Sequence, residues 1–542
     1  MKRSARAVPG VCAEFLGFVG DKRVVDRIQK VLKRMCRRPD LSFPRQMRKE
    51  CETEGFYRLL SNEHVSYRGL VACHASKTME RMPLGGCVRV VHDTTELKFS
   101  GEVERDGLAK RSKKSKQQVF FAHVAMAMTC DDVARPLGVV GMNCWARTGP
   151  RRSSRRLNGP SLAKIKEKES NRWYSMVDEV ETLVDDRSRL VHLMDREADS
   201  YPLFCAMLDR RCHFVIRMAR DRVVFAGDLE AGDDETIRLS EALVDLPHRV
   251  SREVPLAGRA KTTIPRLSKG HGPRDARSAS LRLSAGMVTL KRPQYYARKD
   301  GLPESVALNV VYAHEVDAPT DQDAIAWVLI TTEPISTAAE IEAVVDHYRH
   351  RWQIEEFFKA LKTGCSFEER QLESLKTLTN ALALFLPIAW QMLLLRAVSR
   401  ATPNAPAETV LTSIQIEVLR HYEPEKLPRR GVTAHHALMA VAGLGGHLKR
   451  NGPPGWRTHQ LRHARTRSDD RRLGSWRTKR RETASRSDQS LDGHGHAYGP
   501  RNLGTHPRKV RAIGRENPPY QPAPPKAPGD RTRRDPPRNR RE

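Results

Sequence analysis

Residues 85–101 read "GGCVRVVHDTTELKFSG", and the reading of this stretch decides the fold. The chain before it has helical periodicity. Near residue 84 the period changes. β-Branched residues run together up to Asp93, and the pattern resumes with apolar and polar residues alternating, as in a half-buried strand. Two more strands follow, "QQVFFAHVAMAMT" (117–129) and "RPLGVVGMNCWAR" (135–147), joined by the turn-like "CDDVA". After a helical stretch around Trp173 to Val184, "SRLVHLMDREADSYPLFCAMLDRR" (188–211) reads as strand, turn and helix, and "CHFVIRMAR" (212–220) as another strand.

Three consecutive strands followed by alternating helix and strand predict a mixed sheet flanked by helices. The order matches a ribonuclease-H-like α/β core. On this reading Asp93 lies at the C-terminal end of the first strand and Asp195 at the end of "LVHLMD", and ligand crevices form at strand ends in α/β sheets. Glu197 and Asp199 compete with Asp195. Both fall in the first turn of the next helix, where the helix dipole stabilises acids whatever their function, so Asp195 is preferred.

Residues 221–320 interrupt the plan with short alternating strands separated by Gly and Pro, which predicts a β-rich insertion. The core resumes with "AIAWVLITTEP" (324–334) and then "DHYRHRWQIEEFFKALKTG" (346–364). Wound as one helix, the latter places Tyr348, Arg351, Glu355 and Lys362 within roughly 60° of one another. Ile354, Phe357, Phe358 and Leu361 fall on the other side and would dock the helix. One carboxylate then stands among three groups suited to phosphate. A solvated i, i+4 pair between Arg351 and Glu355 is the plainer alternative.

Asp93, Asp195 and Glu355 are far apart in the chain, yet each sits where such a sheet brings carboxylates together. Three hard oxygen donors could hold two Mg²⁺ or Mn²⁺ ions for phosphodiester chemistry.

The 542 residues are enough for several domains, and the net charge of +30 points to a polyanionic partner, nucleic acid before membrane. Residues 457–542 hold 23 Lys and Arg against 9 Asp and Glu, leaving 72 against 56 for the rest, so the body is basic in its own right. That last segment is rich in Arg, Pro, Gly, His and Ser and reads as a disordered basic tail. Residues 1–80 read as a small helical domain. Within it "GDKR" (20–23) offers Asp21 as a helix cap, with Lys22 and Arg23 in a first turn where cations oppose the dipole unless DNA favours them.

Residues 376–456 are helical and apolar, and "ALALFLPIAWQMLLL" (381–395) is too short and too interrupted to span a membrane. The ten cysteines are scattered without a C-x-x-C pair, which predicts reduced thiols in the cytoplasm and no zinc site, since zinc ligands usually cluster at short spacings.

The motifs "HDTTELKF", "MDREADSYPLF", "FVIR" and "YRHRWQIEEFFKALKTG" resemble those of bacterial cut-and-paste DDE transposases of the insertion-sequence-four family. The family signature is Tyr, two residues, Arg, three residues, Glu, six residues, Lys. Tyr348, Arg351, Glu355 and Lys362 match it completely, and the likeness runs from about Phe18 to Trp456.

It implies a catalytic domain over 81–375 carrying a β insertion at 221–320, an end-binding domain over 1–80 and a helical C-terminal region over 376–456 used in dimerisation. The partners it implies are double-stranded DNA, as transposon ends and target, and a second copy of the chain in a synaptic complex at the nucleoid. Asp93, Asp195 and Glu355 become the metal-binding triad, and Tyr348, Arg351 and Lys362 grip phosphates. Arg217 resembles an arginine near the cleavage site, and Trp327 stands where the family carries a tryptophan that stacks on a flipped base. Arg23 and Arg27 match positions that contact end DNA. A nuclease or resolvase without strand transfer, and an inactive DNA-binding derivative, are the competing readings.

Overall fold

The structure is a computed structural model. It describes residues 10–456 apart from 148–170, 185–187, 227–234, 259–274, 297–300, 448–453 and the single positions 16, 19, 102, 113, 114, 257, 321, 323, 445 and 446. The expected disordered tail, 457–542, lies outside the described residues.

The N-terminal helices are α1 (Lys22–Met35), α2 (Phe43–Met47), α3 (Glu50–Ser61) and α4 (Tyr67–Arg81). Asp21 caps α1 by accepting from the Arg23 backbone N–H at 2.6 Å. Ile28, Val31, Leu32 and Met35 form its buried stripe at i, i+3, i+4 and i+7. Ser66 caps α4 in the same way through Gly69 N–H.

The strands are β1 (Cys87–Phe99), β2 (Ala109–Lys110), β3 (Gln118–Thr129), β4 (Pro136–Trp145), β5 (Arg189–Met194) and β6 (His213–Arg217). α5 (Arg172–Val184) precedes β5 and α6 (Tyr201–Asp209) links β5 to β6. β1, β3 and β4 pair antiparallel, and β5 and β6 continue parallel to β1. β1 does not end at Asp93 as the sequence suggests. It runs on to Phe99 because β3 pairs with it along its whole length, Asp93 facing Val124. What stops near Asp93 is the parallel pairing with β5, whose last matched pair is Val91 with Leu193.

The segment read as an insertion contributes β7 (Val223–Phe225), β8 (Thr236–Arg238), α7 (Leu239–Ala242), β9 (His248–Leu256), β10 (Arg277–Lys291) and β11 (Ser305–Val316). Rather than interrupting the sheet, these strands extend it. β12 (Ala326–Thr331) pairs antiparallel with β6 on one side and β11 on the other, so twelve strands form one sheet.

α8 (Ala338–His350) and α9 (Gln353–Lys359) are followed by a π-helical turn (Ala360–Gly364), α10 (Leu375–Ala401), α11 (Ser413–Tyr422) and α12 (Ala434–Leu444). The helix expected to run unbroken through 346–364 is therefore interrupted twice. At Arg351 and Trp352 the backbone tightens into i→i+3 bonds, Arg351 N–H to Tyr348 C=O at 3.1 Å and Ile354 N–H to Arg351 C=O at 3.2 Å. After Lys359 it widens, with Cys365 N–H reaching the Ala360 carbonyl at 2.8 Å. Gly364 ends the wide turn where a Cβ would come within 2.8 Å of the Met392 side chain on α10.

α10 is the one described helix long and apolar enough to cross a membrane, and it lies in the protein core, with Leu378 to Leu395 buried. Cys87 and Cys130 form a disulfide across the ends of β1 and β3, a correction to the expectation of wholly reduced thiols. Sequence spacing does not reveal it, because the pairing of Val88 with Thr129 is what sets the two cysteines opposite each other.

Candidate active site

Two residues beyond the last parallel pair of β1 and β5 stand Asp93 and Asp195, at equivalent positions on strands that neighbour at about 4.8 Å. β5 has ended by then, and Asp195 caps a 3₁₀ turn, its Oδ1 accepting from Glu197 N–H at 2.9 Å. Glu355 comes from the first turn of α9, where the dipole favours an acid. The Arg351 guanidinium joins the two sides, with Nη1 3.2 Å from Asp93 Oδ2 and Nη2 3.3 Å from Glu355 Oε1.

The charges do not balance. Burial pushes the Asp93 carboxyl up to about 7; Asp195 and Glu355 push the same way, against Arg351 and the Thr94 N–H. Glu355 is also raised, by burial first and by Asp195 in addition, although Arg351 opposes the rise. Burial draws Arg351 down, but Tyr348, Asp93, Asp195 and Glu355 together hold it above its ordinary value. Three carboxylates around one guanidinium leave excess negative charge on hard oxygen donors, the donor set that suits Mg²⁺ or Mn²⁺.

The two rivals to Asp195 are bound elsewhere. Asp199 is buried, accepts from Ala219 and Arg220 N–H at 2.8 and 2.9 Å, and pairs with Arg222. Glu197 pairs with Arg172 at 2.5 Å.

A ladder of cations and rings leads to this cluster. Arg217, near the end of β6, stands 5.9 Å from the Trp327 ring centroid and donates from Nη2 to Ala326 C=O at 3.0 Å. Trp327 meets Tyr348 edge to face at 5.2 Å, and Arg351 lies 5.8 Å from the Tyr348 ring. The β6–β12 register, Leu329 opposite Arg217, creates this neighbourhood.

Lys362 is set apart. Because it sits in the π-helical turn rather than on a continuous helix, its Nζ reaches β1, donating to Glu96 C=O at 2.7 Å with Glu368 at 3.8 Å. Arg23 and Arg27 are exposed on α1, far along the chain from the carboxylates.

Sequence reasoning missed the support behind Glu355. Its neighbour Glu356 accepts from Lys359 at 2.7 Å and from Trp456 Nε1 at 3.2 Å, with Arg396 at 3.5 Å. This anchor fixes α9 from behind. No local pattern signals it, since its members come from three separate stretches. The same holds for Thr94 Oγ1, which lies between His123 Nδ1 at 2.9 Å and Arg172 Nε at 3.0 Å beside Asp93.

Asp93 and Asp195, just past the last parallel pair of β1 and β5, and Glu355 on α9 form a hard-oxygen donor set of the kind metal-dependent phosphodiester chemistry uses. Residues 166–388 match the transposase DDE domain family, and residues 18–65 match the transposase DNA-binding family. The first match covers Asp195 and Glu355 and begins after Asp93; the second covers Arg23 and Arg27. The protein is a DDE transposase, a DNA-binding enzyme that cleaves and joins DNA strands with divalent metal ions. Among solved structures, the piggyBac transposase synaptic complex with hairpin DNA is similar at 11% identity over 74% of this chain and 75% of that one, with a TM-score of 0.31. A likeness that distant bears on neither the fold nor the site.

Proposed function

We propose that the protein is a cut-and-paste transposase of the insertion-sequence-four type, with a ribonuclease-H-like core, that excises an insertion sequence and inserts it into target DNA in the bacterial cytoplasm. The observation that carries the reading is the convergence of Asp93, Asp195 and Glu355 around Arg351, with Asp93 raised by burial and by the two other acids. The strand order β4-β3-β1-β5-β6, antiparallel then parallel, supports the core assignment.

Asp93, Asp195 and Glu355 would hold two Mg²⁺ or Mn²⁺ ions. Such ions, when bound, would supply activation of the attacking hydroxyl and charge stabilisation at the leaving oxygen of the phosphodiester. Arg351 bridges Asp93 and Glu355 before substrate binds and offers its guanidinium to a phosphate when DNA enters. Tyr348 and Arg217 line the same approach, and Lys362 meets the backbone further along β1. Trp327, partly buried, presents a face on which an unstacked base can rest. Arg23 and Arg27 contact end DNA from the 1–80 domain, and 376–456 serves dimerisation in a synaptic complex. Residues 457–542 form a basic tail outside the working enzyme.

Purified protein incubated with Mg²⁺ and a DNA fragment bearing the flanking inverted repeats should release the element by double-strand cleavage. Binding of the ends without metal-dependent cleavage would sink the proposal.

A further inference from the structure

A second set of metal-ligating side chains converges on another part of the sheet. Glu181 lies on α5, His192 on β5 and Cys212 in the turn before β6, and one ligand atom from each lies within 4.8 Å of the others. His192 Nε2 is 2.8 Å from Glu181 Oε1, and Glu181 also accepts the Cys212 thiol hydrogen bond. The other ring nitrogen of His192 is engaged, Nδ1 standing 2.8 Å from His92 Nε2, so Nε2 is the nitrogen turned to the cluster. His192 and Cys212 are buried, whereas the Glu181 side chain keeps 25% exposure and opens the cluster to solvent.

We infer that Glu181, His192 and Cys212 form a binding site for Zn²⁺ or a similar borderline divalent ion, separate from the hard-oxygen site of Asp93, Asp195 and Glu355. Imidazole, thiolate and carboxylate are the donor types zinc takes. Three protein ligands leave a fourth position for water on the Glu181 side. Tetrahedral ligands about 2.0–2.3 Å from the ion stand roughly 3.3–3.6 Å apart. The present spacing needs only small side-chain movements to reach that. One thiolate and one carboxylate neutralise the dication.

Before metal binds, burial and Glu181 keep the thiol protonated, pushed up to about 12. Binding sends that proton to bulk water. The nearby cation is Arg210, which is turned to Asp178 and to Thr182 Oγ1 at 2.9 Å. His92 supplies the outer hydrogen bond that orients a ligating imidazole. The ion would tie α5, β5 and the start of β6 together three residues before Asp195.

The test is titration of metal-stripped full-length protein with Co²⁺ in excess Mg²⁺, which fills the hard-oxygen site. The expected result is one thiolate-to-cobalt charge-transfer band at one equivalent, bleached by Zn²⁺. It is lost in Cys212→Ser and kept in Asp93→Asn and Cys205→Ser. Glu181→Gln, at a partly exposed position, should weaken Co²⁺ binding about tenfold or more. No charge-transfer band in the wild type, a band that survives Cys212→Ser, or unchanged affinity in Glu181→Gln would each overturn the site.

Discussion

Two acids in this protein, one fully and one partly buried, each lie beside an arginine, and their environments drive them in opposite directions. Glu14, fully buried under α4, accepts from His74 Nδ1 at 2.7 Å and from Arg81 Nη1 at 2.8 Å. Burial would raise it, yet His74 and Arg81 together hold it below its ordinary 4.5. Asp93, partly buried, is pushed to about 7 by that burial first; its Arg351 is shared with Glu355, and Asp195 adds like charge. One acid with two donors is a brace. Three acids with one guanidinium form a cluster that has room for a further cation, and the proposed metal site rests on that surplus.

The comparison is broken most directly by Asp93→Asn. Cleavage should fall about 10⁴-fold, equivalent to roughly 5.4 kcal/mol of barrier, while binding of end DNA survives. Without metal the unfolding temperature should stay level or rise, since a poorly compensated buried charge is gone. A clear fall in thermal stability would show that Asp93 is a brace like Glu14.

Glu14→Gln should do the reverse. Removing one partner of a buried ion pair costs about 3–5 kcal/mol, read by denaturant unfolding, with cleavage by the folded fraction unchanged. Glu14 is a group whose folded pKa is depressed. Its contribution is present above 4.5 and is lost as pH falls through its lower folded value, so the difference between wild type and variant should shrink below pH 4.5. A difference that grows in acid would contradict the assignment.

Metal sharpens the contrast. Mn²⁺ at a hundred times its dissociation constant should stabilise the wild type by about 2.7 kcal/mol. The same ion should leave Asp93→Asn/Asp195→Asn unshifted and still stabilise Glu14→Gln. Equal stabilisation of all three proteins would place the ion elsewhere.

Asp93 and Asp195 are legible in the sequence because strand periodicity and chain order place them without knowledge of packing, although β1 runs past Asp93 to Phe99. Glu355 was legible from its spacing to Arg351. What was hidden depends on contacts between distant segments. The pairing of β6 with β12, which brings Arg217 to Trp327, is set by the sheet and not by either strand alone. The π-helical turn that carries Lys362 away to Glu96 follows the close approach of Gly364 to Met392 on α10. Glu14, His74, Arg81 and the members of the Glu181 cluster carry no local pattern that singles them out, since their contacts join separate segments.

Trp327→Ala is expected to have a smaller, step-selective effect. Stacking of an unpaired base contributes about 1–3 kcal/mol, so a later step that must flip a base should slow by roughly that much while the first nick is spared. The edge-to-face contact with Tyr348 provides the competing account, since its loss would disturb Arg351 as well. Equal slowing of both steps together with a lower unfolding temperature would assign Trp327 to packing.

The smallest effect concerns charges on one helix. On α1, Arg34 is paired with Glu52 at 2.6 Å, whereas Arg23 and Arg27 are exposed and make no ion pair among the described residues. The logic of the two acids applies with the sign reversed: a cation already matched by an acid has little to offer a phosphate, and an unmatched one has its full charge. Each phosphate contact on duplex DNA contributes about 0.9 to the slope of log affinity against log salt. Arg23→Ala and Arg27→Ala should therefore each lower that slope for end DNA by nearly one. Arg34→Ala should change it little, since its charge is already matched by Glu52. Unchanged slopes for Arg23 and Arg27, or an equal fall for Arg34, would mean that this helix face is solvated and that end DNA is gripped elsewhere.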